Sequence, residues 1–440
     1  MEFTRSRRVL AGAAFAAAAT MGLAACSSGS SDPASSGADG GSGEQVEIRL
    51  NWWGSDARHE RTQEAIDAFM AEYPNITVVG EFSDWTGYWD KLATSTAGSN
   101  MPDVIQMDQL YLASYAERGT LADLGALSTL DTSNLSDSVL GIGQVDGTQY
   151  AMPVSTVGFT ILVNQDILDE LGLTLPDTDS WTWDDFYAFA AEVTEVSGGD
   201  VVGTAPMNNE FSLQLWARQN GEALFTDGNV SISPEVLADY LAQGLEMSKI
   251  GASAEATAYS EQASLPLDQI DFSVGKQAMA FTQITQIAAY TAASDGANLV
   301  AVKLPTEDAN ASKYLYLKPG MYFSVSSQSA HPEEAAQLID FLVNDPTAAE
   351  IIGTERGLPA NPNTIELLAD SLTPEETKAV EYTDSIADLL GEAPEIVPNG
   401  ASGVDGLIQR YILEVYFESS SPIDAADAFI SELQSSIDAA

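Results

Sequence analysis

An α/β protein of two lobes is what this sequence predicts, and three observations predict it. Strand-like and helix-like segments alternate from Val46 to Gly119. The alternation restarts near Val154. About 395 of the 440 residues follow position 45, more than one simple core organises.

Residues 46–53 read as a strand. Residues 59–73 read as a helix with Ile66, Phe69, Met70 and Tyr73 on one face, stopped by Pro74-Asn75. A β-branched strand at 76–79, a helix at 88–96 and a short buried strand at 104–107 follow. A helix at 110–118 closes on Gly119, the usual left-handed cap. This order implies parallel strands with right-handed crossovers, and ligands in such sheets sit beyond the strands' carboxyl ends.

The second unit opens with a strand at 157–163 and a helix at 165–171 closed by Gly172. At 182–194, Thr182 caps a helix, Asp185 completes the capping box and Trp181 staples onto Phe186. A loop containing Lys276 leads to a strand ending near Phe281, and 299–304 is a strand returning toward the first lobe. His331-Pro332 opens a helix running to Val343, with Pro in the first turn. Thr373-Pro374-Glu375-Glu376 is a second capping box, and helices run on to Ile437.

The ends and the composition bound the function. Arg5, Arg7 and Arg8 precede an Ala-rich apolar run, and Leu23-Ala24-Ala25-Cys26 follows. That is the layout of a cleaved signal peptide (1–25) whose Cys26 takes a lipid. Ser6-Arg7-Arg8 half-matches a twin-arginine signal, so the export route stays open. Residues 26–45, rich in Ser, Gly and Asp, read as a flexible tether to the outer face of the cell membrane. Cys26 is the one cysteine, so no internal disulfide is expected. Against 65 Asp+Glu stand 17 Lys+Arg, a net charge of −48 that repels nucleic acid. With two histidines, His59 and His331, there is little material for a zinc site or a Ser-His-Asp triad. No Asp-x-Asp-x-Asp-Gly calcium loop is present, and neither a metal nor a cofactor is expected.

Several segments together resemble a known family. Trp52-Trp53-Gly54, Phe69 through Tyr73-Pro74, Gly87-Tyr88-Trp89-Asp90-Lys91-Leu92 and Met101-Pro102-Asp103-Val104-Ile105-Gln106-Met107-Asp108 are similar to the first lobe of family 1 extracellular solute-binding proteins. Those are the sugar-type receptors of ABC importers. Asn164 through Gly172, Trp181-Thr182-Trp183, Gly275-Lys276-Gln277-Ala278-Met279, Pro332 through Ala336 and Arg356-Gly357-Leu358-Pro359 continue the likeness across nearly the whole mature chain. It implies a type II periplasmic-binding-protein fold, each lobe a mostly parallel sheet flanked by helices and joined by hinge segments. Lobe 1 would hold 46–153 plus 305–356, and lobe 2 would hold 154–304 plus 357–440. It further implies a monomer that closes on a carbohydrate and hands it to membrane permease subunits, with no catalysis.

A sugar site needs aromatic plates and a few hydrogen-bonding groups. Trp52 and Trp53 end the first strand, and alternation lets one of them line a cleft. Asp84, Trp85, Tyr88 and Trp89 form an aromatic cluster, with Trp85 and Tyr88 the ligand candidates. Asp108 and Gln109 follow the third strand, where Asp108 either accepts sugar hydroxyls or caps a helix. Arg58 and Arg356 are candidates for a hydroxyl or an acidic sugar, or are salt-bridged. By comparison with maltodextrin-type receptors, Ser155, Asn209, Phe211 and Thr285 fall at ligand-side positions, and the changed residue types there speak against maltodextrin. Gln283 and Gln286 add amides to that wall. Alternatives stay open: the same fold binding a polyamine or another non-sugar solute, a carbohydrate-active enzyme with two carboxylates, or a surface adhesin.

Overall fold

The computed structural model describes residues 45–262, 265–306 and 313–440. The signal segment, Cys26 and the tether up to residue 44 lie outside them. Strands β1 (Val46–Trp53), β2 (Ile76–Ser83) and β3 (Val104–Met107) come first. A hairpin, β4 (Gln144–Val145) with β5 (Thr148–Gln149), precedes β6 (Met152–Val157) and β7 (Phe159–Asn164). A second hairpin, β8 (Phe225–Thr226) with β9 (Asn229–Val230), precedes β10 (Met279–Gln283) and β11 (Leu299–Val302). β12 (Lys318–Val325) and β13 (Leu358–Pro359) come last. The helices used below are α1 (Asp56–Glu72), α2 (Trp85–Ala97), α3 (Gln109–Glu117), α4 (Asp137–Gly141), α5 (Gln165–Leu171), α6 (Trp183–Val196) and α7 (Glu210–Gln219).

The predicted elements form for the predicted reasons. Gly119 and Gly172 close α3 and α5 with φ of 66° and 69°, a region where a side chain is strained. Thr182 and Asp185 make the reciprocal box on α6, and Trp181 stands edge-on to Phe186 with ring centres 5.4 Å apart. Thr373 and Glu376 make the second box.

Six strands form the first sheet, in the order β13-β6-β12-β3-β1-β2. β1 pairs in parallel with β2 and β3, as the alternation requires. β12 is antiparallel to both β3 and β6. The second sheet, β10-β7-β11, departs from the expected mostly parallel arrangement, because β7 is antiparallel to both neighbours. The reason is visible in the chain path. The predicted strands β10 and β11 are joined by a helix at Ile287–Ala293, and β7 runs the other way between them. Gly158 alone separates β6 of the first sheet from β7 of the second, so one nearly continuous extended segment serves both.

Two clusters of buried apolar side chains match the two sheets. One gathers β1, β3, α1, Tyr322, Phe323 and the helix Pro332–Asn344. The other gathers β7, α6, α7, β10, β11 and the helices Pro234–Lys249, Val404–Tyr416 and Pro422–Asp438. Each buried Leu, Ile, Val or Phe contributes about 1.5–3 kcal/mol, so each lobe has a core of its own.

Candidate ligand-binding site

Alternation along β1 sends its two terminal tryptophans to opposite faces. Trp52 is fully buried, packs on Phe82 and donates its indole N–H to His59 Nδ1 at 3.1 Å. It is core, not cleft. An indole N–H can only donate, so Nδ1 is the unprotonated nitrogen of His59. Burial lowers the pKa of that ring, in keeping with the arrangement.

Trp53 is the hub of an aromatic wall. Trp85 and Tyr88 meet it edge-on with ring centres 5.0 Å away, and Trp89 lies at 5.7 Å. Trp89 stacks on Tyr111 at 3.8 Å, and Trp85 stands 6.2 Å from that same tyrosine. Asp84 caps α2 by accepting from the Gly87 N–H at 2.9 Å, which fixes the turn carrying Trp85. Tyr88 is buried and donates to the Gln106 carbonyl. Trp85 differs from the others in remaining 41% exposed. A large apolar ring held by other rings yet open on one side is a ready stacking plate.

The wall continues through Tyr111 into a polar seam. Burial raises the Tyr111 phenol, and the neighbouring Asp108 carboxylate adds to it. Asp108 caps α3, its Oδ1 accepting from the Leu110 N–H at 2.9 Å. Gln109 then reaches from the first lobe to the second, its Nε2 lying 3.4 Å from Glu210 Oε2 at the start of α7. Glu210 is buried, and its Oε1 accepts from Gln214 Nε2 at 3.0 Å. The Glu210 backbone N–H donates to Asp405 Oδ1 at 2.7 Å, so Asp405 satisfies a free donor at the start of α7. Lys318, at the start of β12, holds its Nζ 3.7 Å from Glu210 Oε2 and 5.9 Å from the Phe211 ring centre. Burial pushes the carboxyls of both Asp108 and Glu210 up, Lys318 opposes this, and Asp405 adds to it.

Other candidates from the sequence point elsewhere. Arg58 Nε donates to both carboxylate oxygens of Glu355, at 3.0 and 2.8 Å. Arg356 is buried, donating from Nη2 to Thr62 Oγ1 at 2.6 Å and from Nε to Gln106 Oε1 at 3.3 Å, with its guanidinium over Phe323. Burial, then the nearby Arg58, lowers its pKa to about 9. Ser155 is buried and donates to the Arg356 carbonyl at 2.5 Å. These three polar side chains tie the first lobe together. Phe211 is core against Phe159 and Tyr316. Asn209 caps α7 by accepting from the Ser212 N–H at 2.9 Å. Gln283 ends β10 half-buried, Thr285 is half-buried in the turn after it, and Gln286 is exposed with its Oε1 3.3 Å from Thr282 Oγ1. The structure therefore joins Trp53, Trp85, Tyr88, Asp108 and Gln109, and adds Tyr111, Glu210, Gln214, Lys318 and Asp405, which the sequence reading missed. The scarcity of basic residues drew attention to Arg58 and Arg356, and the same signal was available for Lys318.

Two cavities flank these residues. One of about 590 Å³ lies on the α3 face that carries Gln109 and Ala113, against Tyr316, Tyr322 and residues 393–396. Tyr111, two residues from Gln109, faces the aromatic wall instead. A smaller cavity of about 220 Å³ lies in the second lobe beside Phe159, Asn208, Asn209, Tyr259 and Phe281.

The model of the bacterial extracellular solute-binding protein family matches residues 64–381. The chain belongs to that family. This solute-binding protein is 27% identical over 229 residues to a diacetylchitobiose binding protein of Streptomyces coelicolor, a match spanning 52% of each chain. It thus spans about half the length of that curated relative. Its fold is that of the family 1 extracellular solute-binding protein from Alicyclobacillus acidocaldarius, with a TM-score of 0.73, 23% identity, and coverage of 90% of this chain and 99% of that one. A periplasmic oligogalacturonide binding protein from Yersinia enterocolitica gives a TM-score of 0.76 at 23% identity, covering 89% and 100%. The same Yersinia protein was also solved with saturated digalacturonic acid. The type II binding-protein fold accounts for the strand pair β6–β7 that runs from one lobe into the other. It puts the solute-binding protein's seam, from Asp108 to Glu210, at the junction of the lobes.

Proposed function

We propose that the chain is the capture component of an ABC importer, binding a carbohydrate between its lobes and delivering it to membrane permease subunits without chemical turnover. The observation that carries this reading is the pairing of an open indole, Trp85 on Trp53, with hydrogen-bonding groups that bridge the lobes through Gln109 and Glu210. Indole faces pack against the C–H faces of a sugar ring, and carboxylates and amides take its hydroxyls. The ligands named for the Streptomyces and Yersinia proteins, both saccharides, favour the same class. The expected lobe boundaries at 153/154 and 356/357 shift with the sheets: β6, β12 and β13 belong to the first sheet and β7 opens the second, so lobe 1 is assigned 46–157 with β12 and β13, and lobe 2 begins at β7, with Gly158 as one hinge. The mature protein is a monomer, tethered at the outer face of the membrane through a lipid on Cys26, and needs no cofactor.

A thermal-shift screen over mono- and oligosaccharides, with spermidine and putrescine alongside, tests this. A true ligand at about 100 times its Kd stabilises the fold by about 2.7 kcal/mol. A shift with a saccharide and no product on prolonged incubation supports the reading. A shift with the polyamines and with no saccharide would overturn it, as would turnover.

A further inference from the structure

We infer that the interlobe seam sorts saccharides by charge, binding one with a protonated amine more tightly than its neutral counterpart and rejecting one with a carboxylate. This rests on the carbohydrate reading and deepens it. Asp108 and Asp405 lie close enough to Glu210 to push its carboxyl up, and one ammonium, Lys318, faces Asp108 and Glu210. The acceptors of these three carboxylates outnumber the donors offered to them. Asp108 and Asp405 each use one oxygen, on a backbone N–H, and leave the other without a hydrogen bond from a described residue. Glu210 holds one good bond, from Gln214, and one long one, from Gln109. Gln214 is 1% exposed and leaves its Oε1 with no partner among the described residues. Lys318 stands too far from Glu210 for a hydrogen bond. Gln214 Oε1 is the seam's buried unmatched acceptor, and the free oxygens of half-buried Asp108 and Asp405 add open acceptors beside it, so a ligand that brings donors recovers the cost of the first and pairs with the others.

A sugar hydroxyl donates once and an ammonium donates three times with a compensating charge. A carboxylate brings acceptors alone, and it adds like charge to an already negative site. Metal occupancy is not the alternative: among the described residues no group of three or more His, Cys, Asp or Glu is placed to hold an ion. The other cations do not reverse the sign: Arg58 and Arg356 are engaged with Glu355, Thr62 and Gln106, and Arg218, over the Tyr316 ring, is one charge against three carboxylates.

The test is a matched ligand series on the full chain by titration calorimetry, after the saccharide screen. Cellobiose, diacetylchitobiose and chitobiose share one β-1,4 backbone and differ at C2 in a hydroxyl, an acetamide or an amine. Digalacturonate supplies the acid. Chitobiose, measured where its amines are protonated, is expected to bind at least about tenfold more tightly than cellobiose, and digalacturonate is expected not to bind. Glu210→Gln should shrink the chitobiose-to-cellobiose ratio several-fold. Equal or tighter binding of the neutral sugars, binding of digalacturonate, or binding of some screened sugar but never of chitobiose would each overturn the inference while leaving the carbohydrate reading intact. Silence from every saccharide would instead remove the reading itself. The wild-type series stands alone should the variant fail to fold.

Discussion

The aromatic wall and the polar seam meet at Tyr111 and Asp108, yet they are built to opposite standards. In the wall, Trp53, Tyr88 and Trp89 are buried against one another and only Trp85 is left open. In the seam, Glu210 is as buried as any core residue, but its hydrogen bonds are few and its cation is 3.7 Å away. A pre-formed apolar plate costs nothing to keep ready in the empty protein. An under-matched polar cluster does cost stability, and such clusters concentrate where a ligand or a conformational change completes them. The wall is therefore a finished scaffold with one ring open, whereas the seam holds a buried acceptor that its own residues leave unpaired.

The largest expected effect separates two tryptophans, one buried and one open. Trp52→Ala removes a fully buried ring and its bond to His59, so unfolding free energy should fall by about 3–5 kcal/mol, with sugar affinity of the folded fraction unchanged. Trp85→Ala should do the reverse. Its ring is 41% exposed, so stability should move by less than about 1 kcal/mol while affinity drops by tenfold or more. Urea denaturation and calorimetry on both variants decide this. Equal affinities for wild type and Trp85→Ala would show that the plate is not used.

A smaller contrast sets Arg356 against Lys318. Arg356 is held by Thr62 and Gln106 and lies over Phe323, and Arg356→Ala should cost about 2–4 kcal/mol in urea denaturation. Lys318 donates no hydrogen bond to any described group, and Lys318→Met should mainly weaken sugar binding, by about tenfold. If Lys318→Met instead costs as much stability as Arg356→Ala and spares binding, the seam is structural and the division fails.

How much of this was legible in the sequence follows from how local each feature is. Caps and left-handed closures depend on a few adjacent residues, and so Thr182-Asp185, Gly119 and Gly172 could be read directly. The aromatic wall was half legible: Trp85, Tyr88 and Trp89 share a helical face, but their meeting with Trp53 depends on the register of β1 with β2. The direction of the second sheet was not legible, since nothing local says that β7 inserts between β10 and β11. The seam was least legible of all. Asp108, Glu210, Lys318 and Asp405 come from four separate segments, and in a chain with 65 acidic residues no single carboxylate stands out. Arg58 and Arg356 drew attention for their rarity, yet rarity does not distinguish a cation already paired from one held in reserve.

The smallest effect is on pH dependence, because buried Glu210 and half-buried Glu376 should respond with opposite sign. Glu376 is pushed up by burial, but hydrogen bonds from Thr354 and Thr373 outweigh this and hold it below the ordinary range. Its contribution to stability is present above the unfolded pKa and is lost as pH falls through the folded one. Glu210 is raised, chiefly by burial, so folding favours its protonated form. Its contribution is present below the unfolded pKa and is lost as pH rises through the folded one. The stability of wild type relative to Glu210→Gln should therefore decline as the medium goes from acid to neutral, whereas that of wild type relative to Glu376→Gln should grow over the acid part of the range. Saturating saccharide should flatten the first slope and leave the second alone, because only Glu210 gains donors from the guest. A Glu210 slope that ligand leaves untouched would place the seam outside the binding event, and the aromatic wall would then have to hold the sugar by itself.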